Sequence, residues 1–176
     1  MTPGHPLPSG GRCPVCGVDE GRLGLDDALD TIRTLGRRYR EAVAGVPPEA
    51  ALREPAPSEW SMVDYVAHVR EVLELLAADL DIALDQHRPQ LRDPDEATPS
   101  RPRSTDLTGD LDGLDAAARS IAARGARTSQ LAWDRPFEVD GVERPARWIV
   151  QHAAHEGAHH LRDLERVRHI VAPRDE

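Results

Sequence analysis

Four stretches of the chain place apolar residues at the three- and four-residue steps of an amphipathic α-helix. In the first, Leu25, Leu29, Ile32, Leu35, Gly36, Tyr39 and Val43 share one face, and the pattern stops near Gly45 ahead of Pro47 and Pro48. The second carries Val66, Val69, Val72, Leu73, Leu76, Leu80 and Ala83 to about Gln86. Ser61 can cap it, with Asp64 three residues on in a variant of the capping box. The third begins at Leu107 or Leu111 and keeps Leu114, Ala118, Ile121, Gly125, Thr128 and Ala132 in phase. Its small residues predict a close helix–helix approach rather than a thick core. The last runs from Ala146 to about His169, with Pro145 suited to a first turn.

The segments between the helices are short of any period. Residues 88–106 are Pro-rich, charged and aperiodic, which predicts a long crossover loop. Phe137-Glu138-Val139 and Val142-Glu143-Arg144 flank Asp140-Gly141, the signal of a short hairpin. Residues 1–22 repeat Pro and Gly without helical or strand period and predict an irregular extension. The expected architecture is therefore all-α: a four-helix bundle over residues 23–172 with a hairpin before the last helix. The N-terminal extension over residues 1–22 contains a CxxC pair, and 173–176 form a tail.

Composition narrows the function classes. The 176 residues carry 22 basic and 31 acidic side chains, a formal charge of −9. Such a surface repels phosphates and anionic lipid, so neither nucleic acid nor membrane is an expected partner. Every basic residue is Arg and none is Lys, which removes lysine Schiff-base chemistry. The chain offers no apolar run of membrane-spanning length and no secretory h-region, so a cytoplasmic location is expected.

The chemistry concentrates in the last helix, WIVQHAAHEGAHHLRDLERVRH. At about 100° per residue, Ile149, Ala153, Gly157, His160, Leu164 and Val167 share the inward arc, with His152 and Glu156 at its edge. Glu156 and His160, four residues apart, can bring a carboxylate and an imidazole to one point between helices. His68 in the second helix, at the border of its apolar stripe, is the candidate third ligand. Three ligands from two helices leave a coordination position open, as in a catalytic rather than a structural site. His152, His155 and His159 rank behind these, the last two because the helical wheel turns them toward solvent. His5, His87 and His169 are given no role. A satisfied or exposed histidine is the plainer reading of any one His taken alone. For Trp60 and Trp148, core packing competes with a place lining the cleft.

Cys13 and Cys16 stand in CPVCG, the form of one half of a zinc ribbon. Three readings are open: inert thiols in a tail, a metal knuckle completed by His5 or by a second chain, and a redox dithiol. The metal knuckle ranks first, because no strand–helix context supports a redox pair.

The segments S-E-W-S-M-V-D-Y-V-A-H from Ser58 to His68 and H-E-G-A-H-H-L-R-D-L from His155 to Leu164 resemble the DinB-like four-helix-bundle metalloproteins. The branch nearest in motif is that of mycothiol-dependent maleylpyruvate isomerase and related thiol S-transferases. The resemblance runs from about Leu25 through the last helix. It implies that His68, Glu156 and His160 bind a divalent metal, zinc or nickel, and that Asp163 and Leu164 continue the branch motif. The implied activity is activation of a low-molecular-weight thiol, mycothiol-like, for transfer to or isomerisation of a small electrophile, with no catalytic residue beyond the metal ligands. Arg147 and Arg162 are the expected contacts of an anionic thiol cofactor, and Asp64 or Asp163 the expected carboxylates behind the ligand histidines. A homodimer is expected from the small-residue helix faces. The alternative is a non-catalytic metal-binding stress-response or dimerisation module of the same fold.

Overall fold

The computed structural model describes residues 12–14, 16–97 and 101–172. Helix α1 spans Leu25–Val43, α2 Pro48–Ala51, α3 Met62–Asp85, α4 Pro94–Ala97, α5 Leu107–Gly125 and α6 Arg147–Val171. Strands β1 Gln90–Leu91, β2 Pro136–Val139 and β3 Val142–Pro145 form a small sheet. His5 and the 173–176 tail lie outside the described residues.

Local signals mark the starts of α3 and α5 and the end of α1. Ser61 and Asp64 close a reciprocal capping box on α3, with Asp64 N–H on Ser61 Oγ and Ser61 N–H on Asp64 Oδ2. Asp106 caps α5 by accepting from the Gly109 amide. After α1, Gly45 takes φ +75°, a left-handed turn that glycine enters without strain.

Helices α1 and α3 each pack against both α5 and α6 and so occupy opposite corners of the bundle. Ile32, Leu35 and Tyr39 of α1 meet Val69, Leu73, Leu76 and Leu80 of α3, Leu114 and Ile121 of α5, and Ile149, Leu164 and Val167 of α6 in one core. Small residues set the helix separations. Leu29 presses on Gly125 and Leu35 on Gly157, where a Cβ would overlap the leucine methyls. The Tyr39 hydroxyl donates to the Gly157 carbonyl at 2.9 Å, tying α1 to α6 inside the core.

Two expectations need correction. Helix α5 ends at Gly125 rather than near Ala132; the Thr128 hydroxyl bonds the Arg124 carbonyl, and a 3-10 turn at Gln130–Asp134 follows. A continued helix would carry Trp133 about 120° away from Ile121; the break lets it be buried. Within the loop at 88–106, Gln90–Leu91 adds a parallel third strand to the hairpin, and Pro94–Ala97 forms one helical turn. A two-residue strand has no period to read. The hairpin itself forms around Asp140 and Gly141, both at positive φ, with Phe137 paired to Arg144 and Val139 to Val142.

The described part of the N-terminal extension carries no helix or named strand, as its lack of period predicts, and turns back on itself. Arg12 and Asp19 form an antiparallel bridge, the Cys13 amide donates to the Val18 carbonyl and the Gly17 amide to the Cys13 carbonyl. Gln151 of α6 holds the segment's end by donating to the Leu23 carbonyl. Among the described residues no helix is long and apolar enough to cross a membrane.

Candidate metal centre

His68 sits on the second turn of α3, one turn after the capping residue Asp64, and its ring meets that of His160 on α6. Glu156 and His160 lie one turn apart on α6. One donor atom from each of His68, Glu156 and His160 lies within 4.8 Å of the other two, and His68 and His160 are buried. The imidazoles meet edge to face with centroids 4.9 Å apart, and His160 Nε2 is 3.4 Å from Glu156 Oε2.

Trp60 and Tyr65 wall the cluster. Trp60 lies 4.9 Å from the His68 ring and 6.3 Å from that of His160, and Tyr65 lies 5.7 Å from His160. Trp60 thus belongs to both the core and the site. Trp148 does not; it stacks on His152 beside the hairpin residue Phe137.

Each of the three groups is displaced from its ordinary protonation range. Burial pushes His68 down to about 4, and the neighbouring His160 pushes the same way. Burial also opposes charge on His160, but hydrogen bonds to Asp163 and Glu156 prevail and raise it to about 9. Burial works against the Glu156 carboxylate, yet the hydrogen bond with His160 holds it well below the usual carboxylate range. His68 keeps Nδ1 buried with no hydrogen-bond partner. A buried, uncharged imidazole whose donor atom meets a carboxylate and a second imidazole is a borderline-soft N/O donor set that a divalent cation fits.

Of the two expected supporting carboxylates, Asp163 is in place, with Oδ2 3.3 Å from His160 Nδ1. Asp64 is not. It is taken by the capping box and by Arg101, whose Nη2 is 2.9 Å from Asp64 Oδ2. Arg147 is engaged with Asp134 beside the sheet, and Arg162 points to solvent. The guanidinium near the cluster is Arg166, which pairs with Glu59 at 3.4 Å and with Asp163 at 3.9 Å. Arg166 also opposes the rise of the Tyr65 hydroxyl, which burial and Asp163 push up to about 12. Arg166 was missed because an Arg two turns past the apolar cluster carries no sequence mark; its one signal is the i+3 spacing from Asp163.

His155 and His159 correct the helical-wheel reading. His155 is 0% exposed, and the His159 side chain is only 24% exposed. The N-terminal segment covers them. Glu20 Oε1 is 2.5 Å from His155 Nδ1 and 3.0 Å from His152 Nδ1, and Cys13 Sγ is 3.3 Å from His159 Nδ1. Burial would raise Glu20, but its hydrogen bonds to His152 and His155 hold it at about 2. A surface hollow of about 330 Å³ between Val46, Arg53, Arg168 and Val171 includes none of these residues.

Fold and cluster together define a four-helix bundle with a buried histidine–glutamate–histidine set spanning two helices. The chain belongs to the DinB superfamily, whose family model matches residues 31–164. In fold it is similar to YfiT from Bacillus subtilis, described as a probable metal-dependent hydrolase with an unusual four-helix bundle topology. The TM-score is 0.72 at 13% identity, over 84% of this chain and 87% of YfiT. No curated protein matches the chain by sequence.

Proposed function

We propose that the protein is a divalent-metal-dependent enzyme whose ion is held by His68, Glu156 and His160, and that it activates a low-molecular-weight thiol against a small electrophile. The observation that carries this reading is the convergence of three buried donors from two helices within 4.8 Å, one fewer than a closed tetrahedral site needs. Bound there, zinc or nickel would supply Lewis acidity and lower the pKa of a thiol that reached it. His68 contributes a neutral imidazole, kept so by burial. Glu156 contributes one negative charge, which leaves the site net positive toward an anionic sulfur. Asp163 holds the His160 ring, and Trp60 and Tyr65 keep the apolar side of the cluster dry. Arg166, held by Glu59 and Asp163, is placed to attract a carboxylate on a small anionic electrophile.

The second reading is hydrolysis. Two histidines and a glutamate are also the ligand set of zinc peptidases, where water takes the open position, and the similar fold of YfiT carries the description of a probable hydrolase.

The test is metal-dependent turnover by protein purified without an affinity tag, then stripped and refilled with zinc or nickel. Thiol conjugation of a small electrophile that His68→Ala abolishes while circular dichroism stays unchanged supports the first reading. Ester or amide cleavage without thiol, lost in the same variant, supports the second. A protein that binds no ion after refilling refutes both.

A further inference from the structure

Two cysteines and two histidines converge on a flank of α6 that the first cluster does not use. One donor atom from each of Cys13, Cys16, His155 and His159 lies within 4.8 Å of the other three. Both cysteines are thiols rather than a disulfide, and Cys13 is 1% exposed. The tight turn that presents them is held by the Cys13 and Gly17 amides, with Gly17 at φ +78°.

The histidines are oriented as metal ligands are. His155 gives Nδ1 to Glu20, and its Nε2 is buried with no hydrogen-bond partner. His159 turns Nδ1 to Cys13, with Nε2 3.4 Å from Asp163 Oδ2. In each ring a carboxylate takes the proton of one nitrogen and leaves the lone pair of the other for the cysteine side. That is the usual support of a ligating imidazole.

We infer that Cys13, Cys16, His155 and His159 form a second metal centre, a closed tetrahedral site for zinc or a cation of similar softness. Zinc–sulfur bonds of about 2.3 Å and zinc–nitrogen bonds of about 2.0–2.1 Å put tetrahedral ligands about 3.3–3.8 Å apart. The Cys13–His159 pair already has that spacing at 3.3 Å. Two thiolates neutralise a dication, and two imidazoles fill its shell, so no position remains for substrate and the role is structural. Thiolates select zinc over magnesium or calcium. A redox dithiol would need an exposed attacking sulfur at a helix N-terminus, whereas Cys13 is buried in a turn. The centre would clamp the turn bearing Cys13 and Cys16 onto α6 directly beside Glu156 and His160, with Asp163 supporting one histidine of each cluster.

The inference stands apart from the first cluster, and metal analysis separates the two. Tag-free protein made with zinc under reducing conditions is expected to hold about two ions per chain. Cys13→Ser/Cys16→Ser should hold about one, as should His68→Ala/His160→Ala, each pair emptying a different site. Refilling with cobalt(II) should give a thiolate-to-metal charge-transfer band in the wild type and in His68→Ala/His160→Ala, and none in Cys13→Ser/Cys16→Ser. Should the double serine variant misfold, His159→Ala serves in its place and should weaken the cobalt that gives this band about tenfold or more. The inference is overturned if the wild type lacks the charge-transfer band, if zinc content does not change in Cys13→Ser/Cys16→Ser, or if the reduced preparation carries a Cys13–Cys16 disulfide.

Discussion

Oδ2 of Asp163 stands 3.3 Å from Nδ1 of His160, and this contact determines which nitrogen of the ring is turned toward Glu156. The same oxygen lies 3.4 Å from His159 Nε2, so one carboxylate, a single helical turn along α6, orients a histidine of each cluster.

Replacing that carboxylate should therefore loosen metal binding without emptying the core. Asp163→Asn is expected to weaken the ion proposed at His68, Glu156 and His160 about 10- to 100-fold, read by competition with a chelator. Asp163→Glu should recover part of the loss. Equal affinities in all three proteins would remove Asp163 from the positioning role.

The α1–α6 contact depends on a missing side chain. At Gly157 a methyl group would overlap Leu35, and the carbonyl of the same residue accepts from Tyr39. Gly157→Ala should cost about 1–3 kcal/mol in urea unfolding, the usual cost of overpacking. Leu35→Ala in the same chain should make the combined loss smaller than the sum of the single losses. Additive losses would mean that Leu35 is not what Gly157 makes room for.

Asp79 gives the stability a pH dependence. It is 8% exposed on α3, and burial raises it from 3.8 to about 6. The unfolded chain therefore loses this proton first, and stability falls as pH rises from about 4 to about 6 and then levels off. Asp79→Asn should be more stable than the wild type at pH 7 by about 1 kcal/mol, allowing for solvent that still reaches the group, and show no such advantage below pH 4. Parallel pH–stability curves for the two proteins would contradict this.

Asp64 is an anchor for the helix that carries His68. Its Oδ2 accepts from the Ser61 amide at 3.0 Å and from Arg101 Nη2 at 2.9 Å, and the carboxylate is 5% exposed. Ser61→Ala should cost about 1 kcal/mol through the lost cap. Arg101→Ala should cost about 1–2 kcal/mol by leaving a buried carboxylate without its cation. Denaturant titration of both variants tests this ordering, which is reversed if the ion pair is mere surface decoration.

Much of this architecture was legible in the chain. Leu29, Ile32, Leu35 and Tyr39, or Val69, Leu73, Leu76 and Leu80, are buried where their period places them, because burying one helical face is a local constraint repeated every turn. The same period put His160 on the inner side of α6, and Ser61 with Asp64 announced the start of α3. Gln90–Leu91 and the 3-10 turn around Trp133 were not legible, since both owe their form to what they pack against.

The histidines of α6 draw the line most sharply. The sequence by itself determined that His155 and His159 leave the helix on a different side from His160. Only the tertiary structure decided that this side is covered, by a segment ending its turn at Gly17 and reaching His159 across 146 residues of chain. Helical periodicity records what a helix buries against its bundle partners; it holds no trace of a distant loop that folds back over the opposite face.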